Sequence, residues 1–379
     1  MDQPYISVIV TAYNRRRYLP FALRSLEVQT LPRDKFEVVV VKNFEDKESD
    51  SIISRNGWKD VYNDDHYHGR MVLAGLEESR GEVITFLDDD DMYVNNRLEE
   101  VYKAFTSFKR LVYFQNSQAI IDDNGNVLER PPPSLPISIS KNLVGGSPIV
   151  IDVDKLRELA KRYNVSVADL VLKVRAGADF NNGSVAVRRH IVESHAQLLK
   201  RLPSSIDNFV FVSSLRAGGL MYFTDEKLTL YRVHRENWSY YAHRARSEGN
   251  ETRLKRARAL IQVIKTSGLI GSMLLDGNIN KYLCLERLYK RALLLLPLPE
   301  LGTLPLELRL SLSDIKLILR CYKVGAENLA NAVFVMGSAL LSPLLASPRG
   351  RLVLGKLVEG VVEALTTKRA LKRERENLR

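Results

Sequence analysis

The sequence predicts an α/β fold, a mostly parallel sheet flanked by helices, followed by a mainly α-helical C-terminal domain. Three observations lead to this prediction. Short, β-branched apolar runs alternate with helical stretches, the third of these runs ends in four consecutive aspartates, and the composition becomes basic and leucine-rich after residue 243. Alternating strands and helices are typical of a parallel sheet with crossover helices.

Three apolar runs predict the first strands: residues 5–13, 36–41 and 83–87. Each run is short and β-branched, which favours a buried strand over a helix. The helical spacing of apolar residues predicts helices over 18–31 and 69–80 between them.

Ligands of open α/β sheets bind outside the carboxyl ends of the strands. The predicted strand ends are Thr11–Asn14, Lys42–Asn43 and Asp88–Asp91. These three segments therefore form the expected site.

Later elements are predicted less regularly along the chain. Asp122–Gly125 has the composition of a hairpin turn. Helices are expected over 151–173 and 207–216, and strands over 184–187, 219–223 and 228–231.

The C-terminal region carries the whole excess of positive charge. Residues 241–379 contain 24 basic and 12 acidic residues, whereas the full chain has a net charge of +11. Such asymmetry predicts an anionic partner, a membrane surface or nucleic acid. The basic residues alternate with leucines rather than with stacking aromatics, so nucleic acid ranks last and no nucleic-acid partner is expected.

The uncharged segment 328–348 has three interpretations. It is long enough to span a membrane, but Pro343 and several polar residues weaken that interpretation. It fits a buried helix of a soluble domain or an oligomer interface. It also fits an element lying in the membrane surface, with leucines in the apolar layer and Arg and Lys at the headgroups. We favour the third interpretation.

The strongest chemical signal is the run Asp88–Asp91 directly after a buried strand. Adjacent carboxylates repel each other, and a divalent cation with hard oxygen ligands relieves that repulsion. A cation at this position can neutralise a phosphate leaving group. The alternative is a solvated acidic turn at a helix N-terminus.

These segments resemble glycosyltransferase family 2, whose members have the GT-A fold. Residues 6–15 (ISVIVTAYNR) are similar to its first strand, residues 81–91 (GEVITFLDDDD) to its acidic DXD segment, and residues 207–239 contain a third similar stretch. The resemblance covers residues 1–240. It implies a catalytic domain over 1–243. Residues 244–379 lie outside the resemblance, and their basic, leucine-rich composition predicts a helical domain for which we expect membrane association.

The resemblance also implies roles for individual residues. Asp207 corresponds to the catalytic base, and Asp90, Asp88 and His234 to the ligands of Mn²⁺ or Mg²⁺. Residues expected at the nucleotide are Thr11, Ala12, Tyr13, Asn14, Asn43, Arg70, Asp88 and Asp89. Arg232, Asp91 and Trp238 are expected on the diphosphate or acceptor side. Inversion at the anomeric carbon is likewise implied by the resemblance.

One position departs from the family pattern. The second strand of the family commonly ends in an acidic pair that binds the base, whereas here Lys42-Asn43 follows the strand. The Asn43 amide offers both a donor and an acceptor. The donor nucleotide therefore stays open between UDP and GDP.

Three further groups of residues each have two possible roles. The Arg15–Arg17 trio either contacts a diphosphate or solvates a helix start. His66 and His68 fit a solvated loop better than a metal cluster. Ser184 lies either near the acceptor or in a turn that enters a strand.

The leading hypothesis is a metal-dependent inverting glycosyltransferase. It moves a sugar from a UDP- or GDP-sugar to a hydroxyl, and a polyprenyl-linked or cell-envelope glycan is the expected acceptor. Two cysteines are too few for a disulfide framework, so a cytoplasmic location, peripheral on the membrane, is expected. The alternatives are a catalytically silent nucleotide-sugar-binding or scaffold protein and a sugar-nucleotide pyrophosphorylase. The oligomeric state stays open.

Overall fold

The structure is a computed structural model. It describes residues 3–129, 147–163, 165–234, 250–273, 281–294, 296, 302–323, 337, 339–350 and 352–353. The chain divides into two compact units. The first comprises Met1–His243 and Gly268–Asn280, and the second comprises Arg244–Ser267 and Lys281–Arg379. The catalytic role predicted for residues 1–243 and the membrane association predicted for residues 244–379 stay predictions.

The first unit contains a nine-stranded sheet among its described residues. Its strands are β1 (Ile6–Ala12), β2 (Phe36–Lys42), β3 (Lys59–Tyr62), β4 (Val83–Asp88), β5 (Met92–Tyr93), β6 (Leu111–Ile121), β7 (Ile149–Asp152), β8 (Val185–Arg188) and β9 (Leu220–Arg232). The strand order is β3-β2-β1-β4-β8-β6-β9-β5, and β7 also pairs with β9.

The predicted α/β fold class is confirmed, with a sheet that is mixed. Strands β1 to β4 pair in parallel, as the alternation of strands and helices predicts. Strand β8 enters antiparallel between β4 and β6, and β5 and β7 run antiparallel to β9. Strand β9 is continuous over 13 residues, where the sequence predicts two separate strands.

Helices of the first unit follow the strands. They are α1 (Leu19–Glu27), α2 (Lys47–Arg55), α3 (His68–Glu78), α4 (Arg97–Ser107), α5 (Val153–Tyr163), α6 (Val167–Val174), α7 (Arg189–Glu193), α8 (Ala196–Leu199) and α9 (Ile206–Ala217). The apolar side chains of α1 and α4 pack with those of β1, β2 and β4 in one buried core. Gly75 lets α3 approach the sheet closely, since a Cβ there would lie 2.6 Å from Ile9 Cγ2.

This sheet order brings the three predicted strand ends together. Thr11 of β1 lies in register with Asp88 of β4 on one side and with Val41 of β2 on the other. The acidic run therefore begins beside the end of the first strand. The prediction that these strand ends adjoin is confirmed.

The second unit is helical in its described part. Helix α10 (Asn250–Met273) contributes to both units, and α11 (Lys281–Leu294), α12 (Leu312–Lys323) and α13 (Ser342–Leu345) belong to the second. Residues 328–336 and 338 of the segment 328–348 lie outside the described residues. Within the described residues, none of the helices combines the length and apolar character that a membrane crossing requires.

Cys284 of α11 is buried and disulfide-bonded. A reducing compartment does not favour such a bond. The cytoplasmic location therefore stays a prediction.

Candidate functional site

The ends of β1 and β2 are tied together by two asparagines. The backbone N–H of Asn14 donates to Asn43 Oδ1 at 2.8 Å, and Asn43 Nδ2 donates to Asn14 Oδ1 at 2.9 Å. Asn14 has a left-handed backbone with φ of 58°, which asparagine tolerates better than most residues. The pair keeps both amides at the edge of the site, where the sequence predicts nucleotide contacts.

Three carboxylates converge directly after β4. Oxygen atoms of Asp88, Asp90 and Asp91 lie within 4.8 Å of one another. Asp90 and Asp91 are buried, and Asp88 is partly exposed. This is a cluster of hard oxygen ligands with one open side, as a divalent cation requires.

Asp89 points away from this cluster. It is fully buried and forms a bidentate ion pair with Arg15, whose Nε and Nη2 each contact one of its carboxylate oxygens. The sequence predicts Asp89 at the nucleotide, but its carboxylate is occupied by Arg15. Arg15 itself lies among the carboxylates rather than solvating a helix start.

Burial and charge set the ionisation of these aspartates. Burial would raise the pKa of Asp90, but Arg15 and His234 together hold that pKa below its ordinary value. Burial raises the pKa of Asp91 well above its ordinary value, and the charges of Asp90 and Asp88 add to this effect. The cluster therefore favours a positive charge that stabilises all three carboxylates at once.

Arg232 is the last residue of β9, and His234 lies two residues after it. His234 Nε2 lies 2.9 Å from Asp90 Oδ2, and since a carboxylate only accepts, Nε2–H donates. His234 is buried and its ring lies 4.7 Å from the Tyr18 ring. The prediction that His234 belongs to the acidic site fits this position.

Arg232 is buried beneath the acidic run rather than facing the site. Its guanidinium donates to the backbone oxygens of Asp90, Asp122 and Asp123 at 2.9–3.0 Å and lies 4.9 Å from the Tyr18 ring. Its backbone N–H donates to Asp91 Oδ1 at 3.0 Å. The geometry thus makes Arg232 a residue that positions the aspartates, whereas the sequence predicts a diphosphate contact.

This difference is testable with Arg232→Met. We expect the free energy of unfolding to fall by about 3 kcal/mol, because buried carbonyls lose their donors. Urea unfolding measures it. Arg17→Met is a matched control, since Arg17 also stacks on Tyr18 but is exposed, and it should change stability by less than about 0.5 kcal/mol. Unchanged stability of Arg232→Met with weakened UDP binding would restore the predicted diphosphate contact.

The segment before β8 contacts the cluster with two amides that the sequence analysis did not assign to the site. Asn181 Nδ2 donates to Asp91 Oδ2 at 2.9 Å, and Asn182 Nδ2 lies 3.3 Å from both oxygens of Asp88. Asn182 Oδ1 is buried and has no hydrogen-bond partner. Only the proximity of these amides to the aspartates indicates their role, and that proximity depends on β8 lying next to β4.

The segment before β8 also contacts the start of α9, which carries the predicted catalytic base Asp207. Asn208 Nδ2 donates to the backbone oxygen of Asp179 at 2.7 Å, three residues before Asn182. Asp207 precedes Asn208 in the first turn of α9, where a carboxylate is favoured by the helix dipole. Its Oδ1 accepts from the Asn208 backbone N–H at 2.8 Å. Asp207 is partly exposed, so its carboxylate is accessible.

His68 was expected in a solvated loop, and the structure corrects this. It begins α3, and its Nε2 lies 3.0 Å from Thr11 Oγ1 and 3.7 Å from Asp88. Burial lowers the pKa of His68, and the neighbouring Asp88 opposes this shift. The His68 imidazole therefore links the end of β1 to the first aspartate.

The remaining predicted residues have these positions. Ala12 is buried at the end of β1, and Tyr13 after it is exposed. Arg70 pairs with Asp65 at 2.7 Å, and its Nε donates to the Lys200 backbone oxygen, so its guanidinium is directed to these two partners. Ser184 is fully buried and bonds to Gln118. Trp238 lies outside the described residues.

A divalent cation fits these residues. The donor set is three carboxylates that lie close enough to share one ion. Asn182 Oδ1 is buried and has no hydrogen-bond partner, and Nδ2 of the same amide lies 3.3 Å from Asp88. Mg²⁺ and Mn²⁺ prefer such oxygen ligands.

The N-terminal part of the chain is similar to known proteins. Residues 7–171 match the model of Glycosyl transferase family 2. An uncharacterized glycosyltransferase of Methanocaldococcus jannaschii is 29% identical over 136 residues, which are 34% of this chain and 47% of that protein. The poly(ribitol-phosphate) β-N-acetylglucosaminyltransferase TarS of Staphylococcus aureus is 30% identical over 105 residues, 26% of this chain and 18% of its own length. The chain therefore matches less than half the length of these relatives.

Among solved structures, residues 1–349 of S. aureus TarS align with 95% of this chain and 92% of that one. The alignment has 15% sequence identity and a TM-score of 0.48.

Proposed function

Because residues 7–171 match the model of Glycosyl transferase family 2, we propose that this protein transfers a sugar from a nucleoside-diphosphate donor to a hydroxyl group with the help of a divalent cation. The observation that carries the proposal is the convergence of Asp88, Asp90 and Asp91 at the carboxyl end of β4, beside the end of β1. Strand ends are where open α/β sheets bind their ligands.

The leaving-group side of the reaction is assigned to the acidic cluster. Asp88, Asp90 and Asp91 would hold Mn²⁺ or Mg²⁺, which supplies charge stabilisation for the departing diphosphate when bound. His234 and the backbone N–H of Arg232 hold Asp90 and Asp91 in place through hydrogen bonds. These contacts fix the ligand oxygens before the donor arrives, which avoids reorganisation during the reaction.

The acceptor side is assigned to Asp207. A hydroxyl becomes a strong nucleophile only as its proton is removed, and a positioned carboxylate can accept that proton. Asp207 is partly exposed at the start of α9 and is connected to the acidic cluster through the segment that holds Asn182 and Asp179. One base opposite the leaving group corresponds to direct displacement with inversion.

The nucleotide is assigned to the ends of β1 and β2. Thr11, Tyr13 and Asn43 line this edge. The second Nδ2 hydrogen and the second Oδ1 lone pair of the Asn43 amide would contact the base. An amide presents both a donor and an acceptor. We therefore include both UDP and GDP in the proposal.

Calorimetric titration of UDP and of GDP into the protein, each with Mn²⁺ and with chelator, tests this function. We expect one nucleotide to bind in a metal-dependent way, because the diphosphate and the aspartates share the cation. The preferred nucleotide then guides a screen of donor sugars. Absence of binding by both nucleotides to the folded protein would contradict the proposal and favour a silent scaffold.

The proposed acceptor follows from the C-terminal region of the chain. A lipid-linked glycan and a membrane surface are predicted from the basic, leucine-rich composition of residues 244–379. The exposed apolar residues Leu340, Leu341 and Val353 of that region support contact with an apolar layer.

A further inference from the structure

Arg15 is held beside the acidic cluster by two contacts to Asp89 and one contact to Asp90. Its Nε and Nη2 embrace Asp89, with Nε at 3.2 Å from Oδ2, and its Nη1 lies 2.5 Å from Asp90 Oδ2. Asp89 is fully buried and is not one of the three carboxylates that converge. The bidentate contact with Asp89 therefore anchors the guanidinium beside the three converging carboxylates, and Nη1 contacts one of them, Asp90.

Nη1 of Arg15 and Nε2 of His234 contact the same acceptor atom. Asp90 Oδ2 receives both Nη1 of Arg15 and Nε2 of His234, the latter at 2.9 Å. A carboxylate oxygen has two lone pairs, and both are thereby engaged. A cation that takes this oxygen as a ligand must displace one of the two donors.

Burial decides which donor is displaced. The His234 side chain is 1% exposed, whereas the Arg15 side chain is 27% exposed on the loop after β1. Movement of His234 would disturb its packing against Tyr18. The Arg15 guanidinium is planar and rigid, so Nη1 leaves Asp90 when this partly exposed group turns toward solvent as a unit.

We propose that Arg15 is a displaceable counter-ion that competes with the divalent cation for Asp90. It neutralises the acidic run in the free protein, and it releases Asp90 when the cation binds. Arg15 thus sets the affinity for the cation. This inference rests on the cation site of the proposed function.

Titration of Mn²⁺ alone into the protein, without nucleotide, tests the inference by calorimetry. Arg15→Gln should bind Mn²⁺ at least about tenfold more tightly, because a positive charge within a few ångströms of the ion is removed. Arg16→Gln is the matched control. Arg16 is exposed and contacts the Glu45 backbone oxygen and the Phe44 ring, so its loss should leave Mn²⁺ affinity within about twofold.

A second variant covers loss of folding. Arg15→Gln leaves the buried Asp89 without its partner, which is destabilising. The double variant Arg15→Gln/Asp89→Asn removes both charges of the pair and keeps the net charge of the cluster unchanged. It should still bind Mn²⁺ more tightly than the parent protein, because Asp90 Oδ2 is released from its competitor.

The outcomes separate this inference from the function it rests on. Equal or weaker Mn²⁺ binding by both Arg15 variants, with clear binding by the parent protein, overturns the role of Arg15. Unchanged Mn²⁺ affinity with weakened UDP binding would instead make Arg15 a diphosphate contact. Absence of Mn²⁺ binding in the parent protein, with nucleotide also present, overturns the cation site and this inference together.

Discussion

Asp207→Asn is expected to lower the rate of sugar transfer by about 10²- to 10⁴-fold, the usual contribution of a positioned base. The amide has nearly the size of the carboxylate but cannot accept the acceptor proton. Donor affinity should stay within about threefold of the parent value, because Asp207 lies on α9 rather than at the strand ends that form the nucleotide edge. Single-turnover transfer and calorimetric nucleotide titration measure the two quantities separately.

Asp179→Asn provides the matched comparison for Asp207. Both carboxylates lie near Tyr113, whose pKa is raised well above its ordinary value first by burial and then by their negative charges. Asp179 is buried, whereas Asp207 is partly exposed and open to an acceptor. We expect transfer by Asp179→Asn to exceed that by Asp207→Asn at least tenfold. The reverse order would identify Asp179 as the base, and turnover that survives both changes would contradict catalysis by either carboxylate.

Asp90→Asn is expected to abolish the increase in nucleotide affinity that Mn²⁺ provides, a change of tenfold or more. Asp90 is the carboxylate whose pKa remains low despite burial, because Arg15 and His234 favour its charged form. An amide offers a weaker ligand and leaves those donors without an anion. Calorimetric titration of the preferred nucleotide, with Mn²⁺ and with chelator, gives the increment directly.

Asp89→Asn serves as the comparison at the same strand end. Its carboxylate is turned toward Arg15 and lies outside the converging trio, so the Mn²⁺-dependent increment should persist. Equal increments in the parent protein and in Asp90→Asn would remove Asp90 from the ligands. Loss of the increment in Asp89→Asn as well would show that the integrity of the whole acidic turn, rather than one ligand, sets cation binding.

Local patterns predicted much of the first sheet half. The β-branched runs 6–12, 36–42 and 83–88 form strands at nearly the predicted positions, because burial on both faces requires continuous apolar residues. The acidic run after β4 was likewise visible, since consecutive carboxylates at a strand end have few other uses. Strand β9 was divided in two because the polar residues at 224–227 interrupt its apolar pattern, although pairing with β6 continues past them.

Single side chains around the acidic run were predicted less well. His68 was assigned to a solvated loop, because its neighbours in the sequence are polar, yet it contacts Thr11 across the sheet. Arg232 was expected at the diphosphate, but its donors are used by backbone oxygens of the acidic run and the 122–123 turn. A basic residue near a site carries no local sign of which acceptor it will meet.

From the sequence alone we could predict the strands, the acidic run that follows one of them and the family resemblance of the first 240 residues. Strands and motifs consist of residues that are neighbours in the chain, so they leave a local pattern in the sequence. The fold was needed to show that Arg15, Asn182 and His68 surround that run together with His234, which the family resemblance already placed there. Their partners lie from 20 to about 144 residues away, and the order β1-β4-β8-β6-β9 brings them into contact. Hydrogen bonds across a sheet follow strand order, and strand order leaves no periodicity in the sequence.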